Sequence, residues 1–362
     1  MSTVKDIYNY IDKIAPFNSA MDFDNCGMLV GNYSAVVSKV LLSLDITSSV
    51  IQEANEIGAN LIISHHPVIF NPIKRLDSNS MPYLLAKNDI NAICAHTNLD
   101  MAEGGVNSSL ANLLGLKNME GLSIYKSRNY HKLIVFVPEE YTNKVKTAMA
   151  LAGAGSLGNY RGCSFKSLGE GEFLPDDGAQ PFLGKVGSYE KVKENRFEMI
   201  CSPSKIDAVI SAMIEAHPYE EPAYDIFENS AIREKICCGL IGNLENEYLP
   251  NEFASFVKKA LNCNGVRYIN GKRKIKKVAV CSGAGGDYIY RAIKKGADAF
   301  VTGEIKHHEI LSAMAAGVTV VDAGHFCTED VVIEPLIKQL SLEFKNISFI
   351  KSSTFKNMLE YI

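Results

Sequence analysis

The side chains best able to do chemistry cluster just past apolar runs. "SHHPVIF" (64–70) places His65 and His66 after "ANLII" (59–63), "HTNLD" adds His96 and Asp100, and "HFCTE" adds His325 and Glu329. Imidazoles and carboxylates are the donors that zinc, manganese and iron take. A lone histidine is more often a satisfied polar residue than a ligand. These, however, fall where strands end, and open α/β sheets collect their function at the carboxyl ends of strands. His325 and Glu329, four residues apart, share one face if the segment is helical.

The adjacent pair poses a geometric problem, because successive strand side chains point to opposite faces. If Pro67 holds the chain extended, the two rings diverge and serve one ion poorly. They suit two ions about 3.5–4 Å apart that share a water and bring its pKa from 15.7 toward about 7, giving a hydroxide nucleophile. The adjacency therefore predicts two divalent ions, one histidine to each.

Weaker candidates stand nearby. Glu304, just after a strand in "TGEIKHHE", is either a proton-transfer group or a charge favourable at a helix N-terminus. His307 and His308 begin a helix, where their rings point about 100° apart, so one faces substrate or both face solvent. "SGAGGD" (282–287) lacks the full glycine spacing of a phosphate cradle and reads better as a tight turn. Asp24, Asn25 and Asp45 are placed to order loops. "HPYEEP" offers His217, Tyr219, Glu220 and Glu221 either as a small-molecule or metal regulatory site or as a turn ending a helix.

The elements that must position these groups alternate. Strands are expected at 39–47, 59–64 and 90–96, with helices at 48–58, 81–89 and 105–115, the last capped by Asn107 or Ser108. The rhythm returns with strands at 276–283, 297–303 and 318–324 and helices at 287–296, 307–317 and 329–340. Such alternation predicts βαβ units and a largely parallel sheet. "IGANLIISHH" (57–66) also lines up with "KGADAFVTGE" (295–304), consistent with a duplicated architecture. The middle, 131–228, reads strand–helix–strand, a glycine-rich loop, then strand–helix–strand. That pattern suggests a ferredoxin-like α+β module inserted in a loop. The N-terminus reads as an amphipathic helix capped by Ser2 or Thr3, with Val4, Ile7, Tyr8, Ile11 and Ile14 inward.

The 362 residues suffice for two or three domains, and 47% apolar with 22% charged residues is ordinary for a folded soluble protein. A net charge of −4 disfavours a nucleic-acid partner. No run is apolar enough to span a bilayer, and the first residues lack a signal peptide's pattern. Nine scattered cysteines without a C-x-x-C pair point to a reduced, cytoplasmic protein.

Seven stretches in order resemble one family. They are "DNCGMLVG" (24–31), "SLDIT" (43–47), "SHHPVIF", "AHTNLDMAEGGVN" (95–107), "CSGAGGD" (281–287), "GADAFVTGEIKHHE" (296–309) and "DAGHFCTE" (322–329). Together they resemble the NGG-interacting-factor-three-like family, whose bacterial members include GTP cyclohydrolase I type 2 homologues. The middle, through "AGAGSLGNYRGCSF" (152–165) and "EAHPYEEPAYDI" (215–226), resembles the PII- and CutA-like insert of longer members. Position 23 carries Phe where the family commonly has Trp, an apolar exchange.

The resemblance implies a three-layer α/β metal-binding core, 1–128 and 231–362, interrupted by the insert at 129–230. It implies a dinuclear site whose ligands are His65, His66, Asp100, His325 and Glu329, with Glu329 the bridge and His96 near by. It further implies a toroidal homohexamer with its sites facing an internal cavity. The expected activity is metal-dependent hydrolysis of a nucleotide or related phosphorylated or heterocyclic metabolite. In the cyclohydrolase version the hydroxide attacks purine C8 of GTP, with His96, Glu304 and His308 as candidates for proton transfer beside Glu329. The alternative is a metal-binding regulatory or trafficking protein without turnover, with the insert as sensor.

Overall fold

The computed structural model describes residues 1–360 and divides them into two compact units, 1–126 with 236–360 and 127–235. In chain order the strands are β1 (Gly27–Val30), β2 (Lys39–Ser43), β3 (Leu61–Ser64), β4 (Asn91–Cys94), β5 (Lys117–Pro138), β6 (Ser164–Phe173) and β7 (Glu190–Cys201). They continue with β8 (Tyr224–Tyr248), β9 (Arg267–Ile269), β10 (Ile275–Cys281), β11 (Ala299–Thr302), β12 (Thr319–Asp322) and β13 (Ser348–Lys351). β5 and β8 carry the chain from one unit to the other.

The larger unit holds two sheets where one largely parallel sheet was expected. In the first, ordered β1-β4-β3-β2-β13, β13, β2, β3 and β4 are parallel and β1 is antiparallel on the edge. In the second, β10, β11 and β12 are parallel, flanked by antiparallel β8 and β9. The shared phrase therefore reflects matching architecture: Ala95 N–H donates to Ser64 O after β4, and Ala323 N–H donates to Thr302 O after β12. The central strands β3, β4, β11 and β12 are buried along their whole length, which is why they read as unbroken apolar runs. Leu61, Ile63 and Ile93 lie in one core and Val278, Val280 and Val301 in another. Burying each such side chain stabilises the fold by roughly 1.5–3 kcal/mol.

Several bounds differ from the sequence pattern, and the differences build the site. The expected strands 39–47, 90–96 and 318–324 stop at Ser43, Cys94 and Asp322, so the residues beyond turn into loops. The helix expected at 329–340 is two: His325–Glu329, then Ile333–Glu343 after a short turn. The helix Val106–Leu113 is capped by Gly105, not by Asn107 or Ser108. Asn107 is buried instead, donating Nδ2–H to Asp100 O at 2.9 Å and accepting from Ser282 N–H at 2.9 Å. The first helix, Val4–Ile14, begins in a capping box between Thr3 and Asp6, with Val4, Ile7 and Ile11 buried.

The smaller unit runs β5, helix Thr142–Leu151, β6, β7, helix Ile206–Ala216, β8, with sheet order β6-β7-β5-β8 and antiparallel β5–β7 and β6–β7 pairs. Its helices set Val145, Met149, Val209 and Met213 against Leu133, Val135, Phe197 and Met199, a core of its own. Among the described residues, no helix is long and apolar enough to cross a membrane.

Candidate metal centre

The two sheets of the larger unit deliver their strand ends to one place. β3 leads into His65 and His66, β4 into His96 and the short helix bearing Asp100, and β12 into the helix that opens at His325 and closes at Glu329. Hydrogen bonding to β2 continues past β3, from His65 N–H to Ser43 O and from His66 N–H to Leu44 O. The chain bends there, however, and the two rings do not diverge as strand alternation predicts. Their centroids are 5.0 Å apart at 46°, and Nε2 of both turns toward Glu329 Oε2, at 3.8 Å from His65 and 2.9 Å from His66. His325 Nε2 reaches the same oxygen at 3.1 Å, across one turn of its helix. Asp100 Oδ1 lies 3.7 Å from His65 Nε2.

Donor atoms fall into three groups, each within 4.8 Å: His65, Asp100 and Glu329; His66, His325 and Glu329; and His65, His66 and His96. The first two share Glu329. Each histidine is held by its other nitrogen. Nδ1 of His65 meets Ala95 O at 2.9 Å, that of His66 meets Asp45 at 3.0 Å, that of His96 meets Asp24 at 2.9 Å, and that of His325 meets Glu304 at 2.7 Å. Such outer partners fix the tautomer and leave the Nε2 lone pair free for a cation, as metal-binding histidines require. His65 Nε2 is buried and has no close hydrogen-bond partner among the described residues, an arrangement that costs free energy unless something fills the place. The donor set thus fits a divalent metal.

Electrostatics describe the same cluster carrying protons instead. Burial disfavours the charged ring of His66, yet hydrogen bonds to Asp45 and Glu329 prevail and raise it to about 10. The Glu329 hydrogen bond likewise raises His325 to about 9, against the cost of burial. Burial pushes Glu329 up, but the surrounding imidazoles hold it well below the usual carboxylate range. Burial first, and then the Glu329 charge, raise Asp100. Asp24 stays low despite burial because His96, Thr97 and Cys26 hydrogen-bond to it.

Among the other candidates, Glu304 touches His325 and not the cluster's centre. His308 lies on an exposed stretch of the helix His307–Ala316, its Nε2 3.8 Å from Glu309, and belongs to none of the three groups. The first turn of that helix directs it outward. "SGAGGD" serves as a turn: Gly283 has φ +56°, and a Cβ there would overlap Glu329 Oε1 and crowd His325 Nε2. The motif's Ser282 donates Oγ–H to Asp100 at 3.2 Å, and Thr328 Oγ1 accepts from Gly283 N–H at 3.1 Å. Neither Ser282 nor Thr328 carried a signal of its own; only the glycines around Ser282 marked the turn.

Comparison with known proteins finds relatives that span nearly the whole chain. A family model described as Duf34/NIF3 (NGG1p interacting factor 3) matches residues 2–358. A GTP cyclohydrolase 1 type 2 homolog of Bacillus subtilis is 41% identical over 342 residues, 93% of this chain and 91% of the relative. The homolog of Halalkalibacterium halodurans is 40% identical over 324 residues, 88% and 87% of the two chains. The crystal structure of a Bacillus cereus protein related to NIF3 superposes with a TM-score of 0.87 at 38% identity, covering 100% of this chain and 99% of that one.

Proposed function

Because the chain belongs to the Duf34/NIF3 family, we propose that it is a dinuclear metal-dependent hydrolase acting on a nucleotide or a related phosphorylated or heterocyclic metabolite. The observation that carries the reading is the pair of three-donor groups sharing Glu329. His65 and Asp100 would hold one ion, His66 and His325 the other, and Glu329 both. When bound, zinc, manganese or iron ions supply Lewis acidity and a water acidified toward neutral pH.

The chain's own residues do the rest. Asp45, Glu304 and the Ala95 carbonyl orient the rings so that Nε2 faces inward. His96, with Nδ1 held by the Asp24 carboxylate, keeps Nε2 toward the cluster as the group that takes or returns a proton. The exposed Glu304 carboxylate beside His325 offers a second place for that proton. Relatives named GTP cyclohydrolase 1 type 2 homolog make GTP the first substrate to try. The test is turnover of a nucleotide and phosphoester panel by metal-loaded protein, wild type against Glu329→Ala. Turnover that depends on Glu329 supports the reading, and equal rates in both contradict it.

The strand order of residues 127–235 supports reading 129–230 as a ferredoxin-like insert of the PII and CutA kind, since β-α-β-β-α-β with antiparallel neighbours is that topology. Its separate core also favours a second reading, a regulatory protein with this unit as sensor. Self-assembly into a toroidal homohexamer in the cytoplasm completes the proposal, and light scattering of the purified chain tests the assembly.

A further inference from the structure

The smaller unit contains a cavity of about 560 Å³, lined by residues of that unit alone. The size lies within the roughly 300–1,000 Å³ of small-molecule sites, which combine apolar walls with a few convergent polar groups. Here Phe136, Phe173, Phe182 and Tyr219 supply aromatic walls. The Phe173 and Phe182 rings stand 6.0 and 6.2 Å from that of Tyr219. The one charged lining side chain that is buried is Glu194, 8% exposed.

Glu194 has no salt-bridge partner among the described residues. Arg196, the sole basic lining residue and on the same strand face, pairs with Glu198 instead. Gly171 lets the carboxylate settle against β6, since a Cβ there would overlap Glu194 Oε2. Beside it the Tyr219 hydroxyl is shut from solvent, with the Glu194 carboxylate as its hydrogen-bonding neighbour. Burial and the neighbouring Glu194 raise that phenol's pKa, so it stays a neutral donor and acceptor. A single phenol donor leaves a buried carboxylate without a cation short of partners, which is costly unless further donors reach it.

We infer that this cavity binds a planar nitrogen heterocycle whose ring N–H and adjacent exocyclic amine donate together to Glu194, the guanine or pterin edge, stacked among the aromatic rings. Two parallel N–H donors match a carboxylate's two oxygens, and stacking on aromatic side chains adds affinity for a flat base. With Arg196 the only cation among the described lining residues, beside five glutamates, the cavity favours a base or nucleoside over a phosphorylated form. The inference does not rest on the metal reading, because Glu194 and the metal-site residues belong to different units.

The experiment is calorimetric titration of the full chain with guanosine, pterin, xanthosine and adenosine. Guanosine and pterin should bind at least ten-fold more tightly than xanthosine, which has a carbonyl in place of the amine, and adenosine. Glu194→Gln should weaken guanosine by at least ten-fold. Ala179→Phe, which adds bulk to the lining without altering Glu194, should also abolish binding and keeps the test decisive if the first variant does not fold. Equal affinity for guanosine and xanthosine, no binding at millimolar concentration, or guanosine binding retained in Ala179→Phe would overturn the proposal. So would binding lost in Glu329→Gln with its fold intact, since that places the ligand at the metal centre.

Discussion

His66 and His325 meet on one atom: Nε2 of each lies within hydrogen-bonding distance of Glu329 Oε2, at 2.9 and 3.1 Å. The two imidazoles come from different sheets of the larger unit, so this oxygen joins the carboxyl edges of both. In the absence of metal the imidazoles of His66 and His325 beside this buried carboxylate hold protons at neutral pH, and that has a measurable consequence.

Metal-free protein should lose stability as the solution becomes alkaline. His66 and His325 are raised above the ordinary 6.5, to about 10 and about 9. A group raised on folding contributes fully below its ordinary pKa and loses that contribution as pH climbs through the raised one. Glu329 is lowered from 4.5, so its contribution is present above that value and fades in acid. Melting of chelator-treated protein should therefore peak between about pH 4.5 and 6.5 and fall steadily toward pH 10. A flat profile from pH 6.5 to 10 would contradict this.

Metal uptake should release protons. At pH 7 the raised imidazoles of His66 and His325 are charged, and an ion can bind only their neutral form. Calorimetry in buffers of different ionisation enthalpy should show proton release on zinc addition, with apparent affinity rising with pH. Uptake without release would mean that these rings are not the ligands.

Asp45→Asn should weaken metal binding without touching the ion. Asp45 holds His66 Nδ1 at 3.0 Å, and losing such an outer partner typically costs about 10–100-fold in affinity. Competition with a zinc chelator checks it. Unchanged affinity would show that His66 is oriented by packing alone.

Gly283→Ala should damage the centre more than a surface change does. The residue sits at φ +56°, and the added methyl would overlap Glu329 Oε1. Strain and displacement together should cost about 1–3 kcal/mol and reduce metal content. A variant with wild-type melting and wild-type metal content would rule out this constraint.

What could be read from the chain depended on how local each signal was. The buried strands β3, β4, β11 and β12 announce themselves as apolar runs ended by chemistry-bearing residues, and the i, i+4 spacing of His325 and Glu329 is local too. The short strands β1, β9 and β13, with three or four residues each, show no period, so the division into two sheets was invisible. The rings of His65 and His66 were expected to diverge because a chain held extended up to Pro67 alternates its side chains; instead the chain bends after Ser64 while its backbone stays bonded to Ser43 and Leu44. Ser282, Asn107 and Thr328 reach the site through long-range hydrogen bonds that no spacing encodes.

If Glu329 serves two cation positions, the number of bound ions per chain reveals it. Metal content by plasma mass spectrometry after equilibrium dialysis against zinc or manganese should give about two ions per wild-type chain. His65→Ala and His66→Ala should each retain about one, and Glu329→Ala should lose both at the same free metal concentration. A wild-type chain that binds no ion, or a Glu329→Ala chain that binds as many as wild type, would contradict the account.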